Sequence, residues 1–186
     1  MNARVNLGNA LSDKGDWDGA IAQYREAMRL NPNDDDAHYN LGNSLKKKGD
    51  RKGAVAEYLE ALRLNPNYES ARVNLANTLG DEGDWDGAIA ELREALRSHP
   101  DSGPAHNSLG AALAHKGDWN RAIAEYRMAL RLDPSLAPAH YNLGLALSHR
   151  HNDREALDEY RAAHELNPHD PDYRKAYLRL RKQIRH

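Results

Sequence analysis

The sequence predicts an all-α solenoid, built from five helix-turn-helix repeats of 34 residues and a C-terminal capping helix. The period is constant, with no insertion between copies. The chain has no Phe, and its apolar residues form one small set per copy, as expected when each unit buries its face on its neighbours. The landmarks are a Leu-Gly pair, a Gly-Asp pair, an Ala, a Tyr, an Ala and a Pro, which in the second copy are Leu41, Gly42, Gly49, Asp50, Ala54, Tyr58, Ala61 and Pro66.

The repeats cover 1–34, 35–68, 69–102, 103–136 and 137–170, and each contains a helix A and a helix B. In the first repeat we predict helices over about 2–14 and 18–31. Gly15 suits the left-handed end of helix A, and Asp16 caps helix B. Pro32 stops helix B. The small residues Gly8 and Ala20 predict a close approach of the two helices.

The last two turns depart from this pattern. His151-Asn152 replaces Gly-Asp in the fifth repeat, which predicts a looser turn. Asp170-Pro171 is a good start for the final helix, 171–186. This segment carries six Lys or Arg residues against one Asp and an apolar stripe. We expect it to cap the last repeat, with a basic patch for an acidic partner as the alternative. The stripe consists of Tyr173, Tyr177, Leu180 and Ile184.

The 34-residue period with these landmarks resembles the tetratricopeptide repeat (TPR) over residues 1–170. The resemblance implies a right-handed superhelix whose helices A line a concave groove, and in this family the groove receives extended peptides. It also implies a non-catalytic protein-interaction scaffold that binds a protein or peptide.

Two Asn positions recur on the face of helix A that the resemblance assigns to the groove. An Asn amide has two donors and one acceptor, so a row of them suits an extended peptide backbone. The row resembles that of the superhelical repeats of protein O-GlcNAc transferases. The alternative is that these side chains bond neighbouring helices. The positions hold Asn6, Asn40, Asn74 and Asn142, and one turn later Asn9, Asn43 and Asn77.

Other side chains of this face vary along the chain. We expect side-chain pockets at Val5, Tyr39, Val73, Asn107 and Tyr141. A basic rim is expected in the second repeat, at Lys46 and Lys47. The family's carboxylate clamp for chaperone tails is disfavoured, because Val5, Tyr39 or Val73 stands where the clamp needs Lys.

Composition narrows the function further. A formal net charge of −2 is unlike that of a general nucleic-acid binder. There is no Cys, no closely spaced His pair on one helix and no catalytic motif, so we expect neither metal nor cofactor. His38, His106 and His140 are expected to pack between helices. No apolar run approaches a membrane span, and we expect a cytoplasmic protein without membrane partners.

Two alternatives remain open beside the peptide-binding scaffold. The first is a structural module that stacks end to end, with self-association through the uncapped N-terminal repeat. The second is a TPR targeting arm cut from a larger enzyme such as a glycosyltransferase.

Overall fold

The computed structural model describes residues 3–184, which form eleven α-helices and no strand. This confirms the all-α prediction, and the two helices of the first repeat lie within about a residue of their expected limits. The chain divides into two compact units, Met1–Glu91 and Leu92–His186. The helices are α1 (Ala3–Asp13), α2 (Trp17–Leu30), α3 (Asp35–Lys47), α4 (Arg51–Leu64), α5 (Glu69–Asp81), α6 (Trp85–Ser98), α7 (Gly103–His115), α8 (Trp119–Leu132), α9 (Ala137–His149), α10 (Asp153–Leu166) and α11 (Pro171–Ile184).

The turn between α1 and α2 shows why helix A stops and helix B starts. Gly15 has φ 77°, in the left-handed region that a Cβ disfavours. The carboxylate of Asp16 then accepts a hydrogen bond from the amide of Gly19 at 2.9 Å. In the fifth repeat His151 takes the left-handed position with φ 59°, and α10 begins without a side-chain cap bond. The turn persists there with fewer stabilising contacts.

A Tyr ring on helix B packs against a Gly on helix A in four of the repeats. Tyr58 is fully buried, and a Cβ added to Gly42 would lie 2.6 Å from its Cε1. The partner of the glycine is thus the aromatic ring rather than the small residue on helix B that the sequence suggested. The same contact joins Gly8 to Tyr24, Gly110 to Tyr126 and Gly144 to Tyr160.

Polar links tie the start of helix A to the preceding turn and to helix B. His38 Nδ1 lies 2.7 Å from Glu57 Oε2, and its Nε2 lies 3.2 Å from the Pro32 carbonyl oxygen, both within hydrogen-bond distance. His106 and His140 repeat this arrangement. These histidines therefore form hydrogen-bonded links as well as packing between helices.

Arg72 makes the same link without a titratable ring. Its guanidinium donates to Glu91 Oε2 at 2.7 Å and to the Pro66 carbonyl at 2.9 Å. The link therefore needs two side-chain nitrogens at this position of helix A, and either His or Arg supplies them.

Helix α11 packs on α10 through part of the predicted stripe. Leu180 is buried, and the Tyr173 ring lies 5.0 Å from that of Tyr141. Ile184 is 40% exposed, so the stripe does not continue to the end of the helix. Among the described residues, no helix has the length and apolar character needed to cross a membrane.

Gly42→Ala should destabilise the first unit. A methyl group would meet the Tyr58 ring, and overpacking by about 1–3 kcal/mol exceeds the gain of up to ~1 kcal/mol from better helix propensity. In Gly42→Ala/Tyr58→Leu, which copies the Ala76 and Leu92 of the third repeat, the two changes should cost less than their sum. Thermal melts of the parent, the two single variants and the double variant measure this coupling. If the stability losses of the two single variants summed to that of the double variant, the contact between Gly42 and Tyr58 would be contradicted.

The stability contribution of His140 should fall as pH rises. Its hydrogen bond to Glu159 raises the pKa of His140 above the usual 6.5, outweighing burial, and the Pro134 carbonyl adds to the rise. A raised folded pKa means that the contribution is complete below about pH 6.5 and is lost as pH rises through the folded pKa.

His140→Arg, which copies Arg72, should therefore melt with a shallower pH dependence than the parent between pH 6 and 8. His169→Arg makes the same change at an exposed histidine and is the control. Parallel melting curves for the parent and His140→Arg across this range would contradict a protonated link.

Candidate functional site

A polar depression of about 680 Å³ lies in the first unit, and we call it the N-terminal pocket. It brings together six of the predicted groove residues, from α1, α3 and α5. Helices α2 and α4 contribute aromatic residues. Its lining consists of Asn9, Ser12, Asp13, Trp17, Tyr24, Asn40, Asn43, Ser44, Lys46, Lys47, Tyr58 and Asn74.

Two tyrosines fix the orientation of two pocket amides. The Tyr24 hydroxyl donates to Asn9 Oδ1 at 2.7 Å, and the Tyr58 hydroxyl donates to Asn43 Oδ1 at 2.8 Å. Burial raises the pKa of both hydroxyls, so each stays a donor at neutral pH. Because each amide oxygen already accepts a tyrosine hydroxyl, the two N–H groups of the amide remain available to a ligand. The donors of Asn9 and Asn43 are therefore presented at the same position in successive repeats.

Asn74 and Asn40 complete the polar surface of the pocket. Asn74 donates from Nδ2 to Asn43 Oδ1 at 2.8 Å and to the Tyr39 hydroxyl at 3.3 Å, which leaves its own oxygen as an acceptor. Asn40 is half-buried and makes no side-chain hydrogen bond within residues 3–184. The pocket thus offers both donors and acceptors, as an extended peptide backbone requires.

The basic rim is partly neutralised. Lys46 pairs with Asp81 at 3.0 Å, between Nζ and Oδ2. Lys47 is exposed and joins no carboxylate in the part of the chain described here. One uncompensated positive charge therefore remains on this side of the pocket.

Five predicted residues of the first unit lie outside the lining of the N-terminal pocket. Asn6 and Asn77 are exposed, while Tyr39 packs against the rings of Tyr68 and Tyr58 at 4.9 and 6.2 Å. Val73 is 8% exposed and packs in the core. Val5, at the equivalent position of α1, is buried as well.

The second unit places its predicted residues differently. Asn142 donates to Asn107 Oδ1 at 3.0 Å, so these two amides bond neighbouring helices. Tyr141 lines a second depression of about 550 Å³, which we call the C-terminal pocket. Its lining consists of Tyr141, Leu145, Ser148, His151, Asp153, Tyr160, Asp172, Lys175, Ala176, Arg179, Leu180 and Gln183.

Sequence reasoning missed most of the C-terminal pocket. Leu145 occupies the position that Asn9 and Asn43 hold in the first unit, and it is 44% exposed. Lys175 and Arg179 stand four residues apart on α11, a spacing that places them on one face. From this spacing, the placement of Lys175 and Arg179 on one side of a pocket could have been predicted.

The chemistry of both pockets is that of recognition through hydrogen bonds, charge and apolar contact. The N-terminal pocket contains neutral amides, hydroxyls, ammonium groups and the Asp13 carboxylate, and the C-terminal pocket contains two carboxylates, an ammonium group and a guanidinium group. Within residues 3–184, no group of three or more His, Asp or Glu side chains is arranged to hold a metal ion.

Comparisons with known proteins agree with this architecture. Family models described as TPR repeat match residues 8–49 and 42–83, and models described as tetratricopeptide repeat match 73–137 and 137–170. Comparison with curated proteins gives no match.

Among solved structures, a thermophilic TPR protein, TTC0263 from Thermus thermophilus, is 25% identical, with a TM-score of 0.80 and coverage of 95% of this chain and 96% of that one. YrrB, described as a TPR protein with an unusual peptide-binding site, is 25% identical with a TM-score of 0.67, over 93% and 89% of the two chains. PilF of Pseudomonas aeruginosa is 20% identical with a TM-score of 0.86, over 98% and 83%, and so shows a shared fold.

The family models together cover residues 8–170 without a gap. The chain therefore belongs to the tetratricopeptide repeat family.

Proposed function

We propose that this chain is a protein-interaction scaffold that binds an extended peptide segment in its N-terminal pocket. Members of the TPR family are typically non-catalytic scaffolds, and a 25% identical relative is described as having a peptide-binding site. The proposal places the first contacts of the partner on the helices α1, α3 and α5.

The observation that carries the proposal is the orientation of Asn9 and Asn43. A free amide can turn either its oxygen or its nitrogen toward a ligand. Here the hydroxyls of Tyr24 and Tyr58 hold the oxygens, so the N–H groups are prepared in advance to meet backbone carbonyls. Preparation of this kind reduces the entropy lost on binding.

The remaining groups of the pocket suit the other half of a peptide backbone. The free oxygen of Asn74 accepts a hydrogen bond from a backbone N–H, and the Asn40 amide offers both donors and an acceptor. Such contacts read the backbone and tolerate many side chains. Selectivity in this pocket then comes from Lys47, Asp13 and the Trp17 ring.

The sequence also predicts self-association through the first repeat, a role as an arm of a larger enzyme and a cytoplasmic location, and these three remain predictions. Leu7 on α1 is 46% exposed, which is compatible with stacking on a further surface.

Asn40→Ala is a direct test, because this side chain makes no hydrogen bond that holds the described helices together. Peptides are first selected from a random twelve-residue phage library with the parent protein. Dissociation constants are then measured for synthetic copies. Loss of one or two neutral hydrogen bonds, each about 0.5–1.5 kcal/mol, should weaken binding from a few-fold to about a hundredfold.

Tyr58→Phe tests the orientation of Asn43 separately. It keeps the ring against Gly42 and removes the hydroxyl that holds the Asn43 amide. Binding should weaken a few-fold while circular dichroism stays that of the parent. Asn77→Ala, at an exposed Asn outside the pocket, is the control. Binding unchanged in both Asn40→Ala and Tyr58→Phe, or reduced equally in Asn77→Ala, would refute the assignment.

A further inference from the structure

Helix α11 differs from the other helices in how its charges are compensated. The helices α2, α4, α6, α8 and α10 each pair an Arg with an acid three residues away. No ion pair joins a cation of α11 to a carboxylate within residues 3–184, although its residues 171–184 hold five cations and one acid. The five cations are Arg174, Lys175, Arg179, Arg181 and Lys182.

Two of these cations line the C-terminal pocket and the others do not. Lys175 and Arg179 border it beside Gln183, while Leu145 of α9 provides an exposed apolar surface in the same pocket. Burial raises the pKa of the Tyr160 hydroxyl, and the nearby positive charge of Arg179 opposes this rise without reversing it. The pocket therefore combines unpaired positive charge with an apolar wall.

Two carboxylates in the lining, those of Asp153 and Asp172, balance the formal charge of the two cations. Asp153 lies in the first turn of α10 and Asp172 in the first turn of α11. There the positive end of the helix dipole and the free amides stabilise a carboxylate. Neither carboxylate forms an ion pair with Lys175 or Arg179 within residues 3–184, so both cations remain available to a ligand.

We propose that the C-terminal pocket binds a peptide segment in which an acidic side chain adjoins an apolar one. The carboxylate binds between Lys175 and Arg179, and the apolar side chain packs on Leu145 and the Tyr141 ring. This inference rests on the proposed function in that the ligand is a peptide, but it uses none of the residues of the N-terminal pocket.

The shape of the site favours a peptide over a membrane or a nucleic acid. A flat anionic bilayer contacts protruding cations, whereas Lys175 and Arg179 border a concave space of about 550 Å³, sized for one or two side chains. A nucleic acid needs cations spaced along a phosphate backbone. Here two cations share one pocket with an apolar wall.

The test uses three fluorescent peptide pools with random flanks around a central Leu-Glu, Leu-Gln or Leu-Lys. We expect the parent to bind the Leu-Glu pool most tightly. Lys175→Gln/Arg179→Gln should weaken this binding roughly tenfold or more, since hydrogen bonds to charged groups are the stronger ones. It should leave Leu-Gln binding nearly unchanged. Circular dichroism confirms that the fold is retained.

The matched control is Arg174→Gln/Lys182→Gln, which removes the same charge from α11 outside the C-terminal pocket. It should change Leu-Glu binding by less than about threefold at physiological salt, where distant charges are screened. Equal losses in the two double variants, equal binding of Leu-Glu and Leu-Gln by the parent, or phosphatidylserine vesicles binding more tightly than the Leu-Glu pool would each overturn the proposal.

Asn40→Ala separates this inference from the proposed function. It should leave Leu-Glu binding by the C-terminal pocket intact. If Asn40→Ala abolishes Leu-Glu binding and Lys175→Gln/Arg179→Gln does not, the acidic peptide lies in the N-terminal pocket and only the present inference fails. If Asn40→Ala has no effect on any selected peptide while the Lys175/Arg179 pair does, only the assignment of the N-terminal pocket fails.

Discussion

The contact between a Tyr ring of helix B and a Gly of helix A is the constraint on which the rest of the structure depends. It brings the two helices close enough to bury the small residues between them. In the first unit it also carries the hydroxyls of Tyr24 and Tyr58 to the surface of the N-terminal pocket, where they hold Asn9 and Asn43. The same side chain thus serves the core with its ring and the candidate site with its hydroxyl.

A second constraint operates between repeats. Packing of apolar surfaces fixes how near two repeats approach, but it is not directional. The links made by His38, Arg72, His106 and His140 add directed hydrogen bonds from helix A to helix B and to a carbonyl of the preceding turn. Each link also contacts the carbonyl oxygen of the Pro in the preceding turn. The His or Arg at this position therefore fixes the orientation that apolar packing leaves open.

The two units use one helix-pair plan for different surfaces. The N-terminal pocket presents neutral amides whose orientation is fixed by tyrosines. In the second unit, Ala111 and Leu145 replace the corresponding Asn residues, and the Tyr160 hydroxyl bonds to Ser148 instead. There Lys175 and Arg179 of α11 supply charged groups to the C-terminal pocket. A constant 34-residue plan with variable groove positions lets one chain present chemically distinct pockets.

The sequence by itself determined the helix pairs, their boundaries and the family, because a helix start, a left-handed turn and an apolar stripe are local properties that recur every 34 residues. It also placed six residues of the N-terminal pocket on one face of helix A. It did not show the burial of Val73, which depends on neighbouring helices, and it missed the role of α11 in the C-terminal pocket. Only the tertiary structure decided that Tyr58 orients Asn43, that His140 bonds Glu159, and that Lys175 and Arg179 border a pocket with Leu145. Each of these depends on atoms far apart in the chain, whose approach is set by how helices pack.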